Sequence, residues 1–219
     1  MPRPDSDAAF AYDRLRALPP VLTIETAARG LGLSRDSVKV SMARWARLGL
    51  VAHAGPRAGV YYNRVREPDA PRTRLAQAVL YLHPQALLTG PSVLYASGWS
   101  EEIPGRGLTV AVPDRSSIAG LYGVDLIIRP QAWFQAAMES RSVVSPGSDM
   151  ETLGLPATTP AWALADARHY GDWRPAPGDL IQKNIDWRAV ERAQGAMPDL
   201  AHAHHDARTQ SGARPPEEQ

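Results

Sequence analysis

Residues 33–62 read LSRDSVKVSMARWARLGLVAHAGPRAGVYY. Ser34 is a good helix N-cap, because its hydroxyl can accept from a free amide of the first turn. Asp36 sits near the positive end of that helix, where a carboxylate is favoured. The spacing predicts a helix from Arg35 to Leu48, stopped by Gly49 as a left-handed residue just past the end. Val38, Met42, Trp45 and Leu48 recur at steps of four, three and three and form one apolar stripe. The opposite side carries Arg35, Lys39, Arg44 and Arg47, with the small residues Ser37, Val40 and Ala43 between them. Leu50–His53 and Val60–Tyr62 then read as two strands around a turn holding Gly55, Pro56 and Gly59, with Arg57 near its tip.

Upstream, Gly30-Leu31-Gly32-Leu33 turns the chain after a short helix expected from about Thr23 to Arg29. Before it, Phe10, Leu15 and Leu18, with Tyr12 between them, suggest an amphipathic helix ended by Pro19-Pro20, and residues 1–8 read as a frayed end. Helix, turn, helix and hairpin within about 55 residues is the order of a winged helix–turn–helix, expected here at 9–66. A helix fits the major groove of B-form DNA, where base edges display distinct donor and acceptor patterns. The stripe must face the rest of the domain, so the basic side faces out. Arg35, Ser37, Lys39 and Val40 are then the candidates for base contact, Arg35 as a bidentate donor to guanine. Arg44 and Arg47 are candidates for phosphate, and Arg57 for the adjacent minor groove or backbone. Arg64 and Arg66 would stand near the base of the hairpin. Charge agrees: residues 1–75 hold 13 Lys and Arg against seven Asp and Glu, net +6, and the remainder holds 11 against 16, net −5.

Residues 66–73 are polar and carry two prolines, which places a domain boundary there. The second half mixes periods. Leu75–Leu82, Ser92–Ser97, Pro160–Tyr170 and Trp187–Ala193 read as helices, Gly107–Val112 and Val124–Ile128 as strands, and Trp133–Met138 fits either. The fold class expected is α+β: the winged domain, then a mixed α/β domain at 73–195, then a disordered tail at 198–219.

A family resemblance runs across both halves. Thr23-Ile24-Glu25-Thr26-Ala27-Ala28, Leu33–Val38 and Leu48-Gly49-Leu50-Val51 resemble the opening of AbiEi-family antitoxins. Ala86–Tyr95 followed by Gly98, then Leu108–Pro113, then Val144 and Leu155–Asp166 are similar to that family's later blocks. The match covers about residues 10–190. It implies a transcriptional repressor in a type IV, AbiE-like toxin–antitoxin pair, often tied to phage defence. The first domain would repress its own operon at inverted repeats of the promoter. The second would be needed to neutralise a nucleotidyltransferase toxin, without a stable complex between the two. The resemblance carries no residue-level antitoxin site, and the chain is expected to be a monomer or weak dimer.

Composition excludes several chemistries. There is no Cys, hence no disulfide, thiolate zinc site or thiol nucleophile. No apolar run approaches the roughly 20 residues of a membrane helix, and the first residues have no apolar leader core, so a cytoplasmic protein without membrane contact is expected. No cofactor or metal is implied, and the chain is expected not to be an enzyme. The enzymatic alternative is a metal-dependent nuclease built on Asp114 and Asp125, although Ile127 stands where such a site wants Lys. Gly147-Ser148-Asp149 starts like a nucleotidyltransferase motif but lacks the acidic pair that should follow. Asp166 and His169 are spaced to pair on a helix, expected at the surface. His202, His204, His205 and Asp206 lie in the tail. A regulator whose second domain senses a ligand is a further alternative.

Overall fold

A computed structural model of the chain describes residues 4–101, 107–113, 120–144, 154–176 and 178–198. Those residues form a mixed α+β structure with two sheets. The first unit runs α1 (Pro4–Arg16), β1 (Val21–Thr23), α2 (Ile24–Leu31), α3 (Arg35–Arg47), β2 (Val51–His53) and β3 (Val60–Asn63). Its sheet is antiparallel in the order β1-β3-β2, with Val21 opposite Tyr62 and Ala52 opposite Tyr62 on the other side.

Four details differ from the sequence reading. α1 begins at Pro4, inside the stretch expected to fray. Its buried side is Ala11 and Leu15, continued by Leu18, whereas Phe10 and Tyr12 face outward. The Phe10 ring instead lies under the Arg14 guanidinium, 4.1 Å from its centroid. β1 was not foreseen. It is fixed by pairing with β3 and by the amide of Asn63, which donates to the carbonyl of Pro20 at 2.7 Å. Leu48, expected in the buried stripe, is 48% exposed, because the helix has already ended there.

The three-stranded sheet is covered on both faces. Side chains alternate along a strand, and the alternation sorts them into two cores. Leu22 and Val51 pack with Ala11, Leu15, Ala27, Val38, Met42 and Trp45. Val21, Val60 and Tyr62, with Ala54 and Ala58 of the β2–β3 turn, join the core of the second half. The polar stretch 66–73 contains a one-turn helix, α4 (Ala70–Thr73), whose Ala70 is fully buried.

The second unit continues with α5 (Leu75–Leu82), β4 (Leu87–Leu88), α6 (Gly90–Ala96), β5 (Leu108–Pro113), β6 (Val124–Arg129), α7 (Gln131–Glu139), β7 (Val143–Val144), β8 (Ala157–Thr158), α8 (Pro160–Tyr170), a single 3₁₀ turn at Gln182–Asn184, and α9 (Trp187–Gly195). Its five-stranded sheet has the order β6-β5-β4-β8-β7. Parallel pairs are β5 with β6 and β4 with β8. Trp133–Met138, open between helix and strand in sequence, is helical. Ala161–Ala167 of α8 are all buried, so that stretch runs through the core and the last turn, with Arg168, reaches the surface. Most of the expected tail, from residue 199, lies outside the described residues.

Candidate nucleic-acid interface

α2 and α3 owe their placement to local capping. Thr23 Oγ1 accepts from the amide of Thr26 at 3.1 Å, and Thr26 Oγ1 accepts from the amide of Thr23 at 2.8 Å. This reciprocal box starts α2. Ser34 Oγ accepts from the amide of Ser37 at 3.2 Å and starts α3. At the other end of α3, the amide of Leu50 donates to the carbonyl of Trp45 and that of Gly49 to the carbonyl of Ala46, both at 3.0 Å. Gly49 holds a φ of 71°, which closes a Schellman motif and turns the chain into β2. With Val38, Met42 and Trp45 buried, the orientation of α3 is fixed.

Arg35, Ser37, Lys39, Val40, Arg44 and Arg47 are all exposed on α3, with Ala43 among them. The Lys39 ammonium lies 3.2 Å from an Asp36 carboxylate oxygen, one turn away. Both groups are largely in water, so this pair adds little to stability. Arg57 is exposed on the β2–β3 turn, not on the helix, and holds a φ of 58°, a left-handed conformation uncommon for any residue but glycine, Asn or Asp. Arg64 and Arg66 are exposed just beyond β3.

One positioning residue was missed. Asn63 is fully buried, and its amide Nδ2 donates to the carbonyl of Leu15 at 2.8 Å, with the carbonyls of Leu18 and Pro19 at 3.3 and 3.2 Å. Its Oδ1 accepts from the amide of Arg66 at 3.2 Å. Asn63 thereby ties the end of α1 to the second strand of the hairpin and to the segment that follows it. A polar residue closing an apolar strand run was the available signal.

The expected surface pair Asp166–His169 does not form. Asp166 is fully buried and takes both arms of Arg129, Nε to Oδ1 and Nη2 to Oδ2, each at 2.7 Å. Trp133 Nε1 donates to Asp166 at 2.7 Å and Trp173 Nε1 at 3.3 Å. Asp172 receives a second fork from Arg129 at 2.7 and 2.9 Å, and the Tyr170 ring lies 4.2 Å from the guanidinium carbon. Burial alone would lower the affinity of Arg129 for its proton. The two carboxylates outweigh that and raise it. Burial would raise the Asp172 carboxyl, but the hydrogen bonds from Arg129 hold it below its ordinary value. Burial pushes the Tyr170 phenol up to about 12. The guanidinium and indole donors of this cluster are matched to acceptors, as a buried charge requires, whereas the buried Tyr170 hydroxyl has no hydrogen-bond partner among the described residues. His169 points elsewhere, its Nε2 3.1 Å from the carbonyl of Pro198.

For the nuclease alternative, Asp125 is exposed on β6, while Asp114 lies outside the described residues, as do Gly147-Ser148-Asp149 and the tail histidines. Among the described residues no group of three or more His, Asp or Glu is placed to hold a metal ion. No described helix is long and apolar enough to cross a membrane.

No family model matches the chain, and no curated protein does. Among solved structures, the chain is similar to the RV2827C protein from Mycobacterium tuberculosis, with 18% sequence identity and a TM-score of 0.53. The similarity covers 88% of this chain and 71% of that one, and it extends over both units as a likeness of fold.

Proposed function

We propose that this chain is a sequence-specific double-stranded-DNA-binding repressor whose first unit is a winged helix–turn–helix, acting as the antitoxin of a type IV, AbiE-like pair. The observation that carries the reading is the outward face of α3. Arg35, Lys39, Arg44 and Arg47 stand exposed on a helix whose other side is locked by Val38, Met42 and Trp45. The +6 charge of residues 1–75 supports it, since phosphate neutralisation supplies most non-specific DNA affinity. The left-handed Arg57 supports a role for the hairpin, because strained non-glycine backbone on an exposed turn costs the fold and clusters at functional sites. The antitoxin role rests on the sequence resemblance, and with it the cytoplasmic setting, the promoter repeats and the nucleotidyltransferase toxin.

The test is a mobility shift with the DNA just upstream of the chain's own gene, over a salt series, beside random DNA of equal length. Preference for the upstream DNA, weakening with salt, is the expected result; equal or absent binding to both overturns the reading. Replacing Arg35 by Ala should cost about 1–3 kcal/mol at one base position and leave random DNA unaffected. Rescue of growth when the chain is co-expressed with the neighbouring toxin gene tests the antitoxin half separately.

A ligand-sensing regulator is the second reading. It is favoured by a cavity of about 590 Å³ between Leu87, Phe134, Val143 and Pro156, rimmed by Gln85, Gln131 and Gln135. A small molecule that shifts DNA affinity would select it.

A further inference from the structure

The outward face of α3 carries one large apolar side chain at its middle, with the exposed Asp36 carboxylate a turn before it. Val40 is 73% exposed, the most exposed large apolar side chain among the described residues. Ser37 lies one turn before it, Ala43 and Arg44 one turn after, and Arg47 a turn beyond, so these residues share one stripe. The Ser37 hydroxyl is already held 2.8 Å from that of Ser34. Arg35 and Lys39 lie to one side of the strip Ser37, Val40 and Ala43, while Arg44 and Arg47 continue the same stripe toward the end of the helix.

That relief suits close approach to a base edge. The short side chains Val40 and Ala43 at mid-helix let the helix approach the floor of the roughly 12 Å major groove, while the cations beside them and toward the helix end reach the phosphates. The chemistry of the strip then selects its partner. Of the groups that the four base pairs display in the major groove, the C5-methyl of thymine is the one bulky apolar group, the C5–H of cytosine offering only a hydrogen atom. An isopropyl group set against N7, O6, O4 or an exocyclic amine would strip water from a polar edge and return no hydrogen bond. Set against a methyl, it buries apolar surface on both sides.

We infer that Val40, flanked by Ala43, reads the thymine methyl, so that the site bound by this chain contains a thymine whose methyl is worth about fourfold in affinity, the usual value of one buried methyl group. The inference rests on the DNA-binding reading above and adds the base that the helix centre selects. Arg35 selects at a different position, through hydrogen bonds.

The experiment uses the full chain. Duplexes are enriched from a randomised pool, the bound site is mapped, and each thymine is replaced singly by deoxyuridine, which keeps O4 and loses only the methyl. One thymine, or two adjacent ones, should weaken binding about fourfold when replaced. In Val40→Ala the same replacement should have no effect, at unchanged melting temperature. Tolerance of every deoxyuridine, or an equal loss in Val40→Ala, overturns the inference and leaves DNA binding standing. Failure to enrich any duplex overturns the DNA-binding reading, and the inference with it.

Discussion

The backbone amide of Tyr122 donates to the carbonyl of Ala54 at 2.9 Å, joining the β2–β3 turn of the first unit to the loop that enters β6 of the second. The hairpin that carries Arg57 is thus fastened at its turn, and the same turn buries Ala54 and Ala58.

Gly55 is the point of closest approach. A Cβ there would lie 2.0 Å from the carbonyl oxygen of Gly120 and 2.7 Å from the Cα of Leu121, both backbone atoms. Gly55→Ala must therefore push the turn off the second unit, costing about 1–3 kcal/mol. Thermal or urea unfolding measures the loss. A melting temperature equal to that of the parent would show that the turn is not held there.

Arg57→Gly separates folding from binding. The left-handed backbone costs an L-residue about 1–2 kcal/mol, and glycine returns part of that through its freer unfolded chain. The variant should be more stable by about 0.5–1 kcal/mol. It should also bind all DNA sequences more weakly, with a salt slope smaller by about one. Greater stability with unchanged DNA affinity would remove Arg57 from the interface.

Arg129→Met should cost about 3–5 kcal/mol, because it leaves the fully buried Asp166 charged and without its partner. Adding Asp166→Asn removes that charge while keeping an acceptor for Trp133, so the double variant should be the more stable of the two. Chemical denaturation of both checks the order; a single variant within about 1 kcal/mol of the parent would contradict it.

Acid should weaken the same cluster from its outer side. The Asp172 carboxyl is held below its ordinary value in the folded chain, so its contribution is complete above the unfolded carboxylate range, near pH 4, and fades as pH falls below it. The stability gap between the parent chain and Asp172→Asn should be flat from pH 5 to 8 and shrink below pH 4. A gap that widens on acidification would reverse the assignment. Asp172 is partly exposed, so the gap itself should be modest.

The sequence showed the first unit more clearly than the second because its signals are local. Ser34, Gly49 and the Val38–Met42–Trp45 spacing each act within a turn or two of helix, and α3 lies where they place it. β1 escaped notice since three residues after two prolines have no period of their own; only the partner strand β3, some 40 residues on, defines them. β4, β7 and β8, two residues each, are likewise defined by pairing across the sheet. Asp166 was misplaced because α8 is buried on every side from Ala161 to Ala167, so no polar face existed there to assign it to. Its real partner, Arg129, is 37 residues away in sequence. The unbroken apolar run Val60-Tyr61-Tyr62 did carry a readable hint, since a strand covered on both faces shows continuous rather than alternating apolar character. The positions of Arg35, Ser37, Lys39, Val40, Arg44 and Arg47 on one exposed face were legible for the same reason that α3 was.

The sheet shared between two cores also governs how the chain can be cut and made. A fragment ending near residue 66 would turn Val21, Ala54, Ala58, Val60 and Tyr62 out into water, five side chains that the complete protein keeps dry. Such a fragment would be sticky and open to proteolysis. During synthesis the β2–β3 turn would gain its cover only after the loop at 120–123 had left the ribosome.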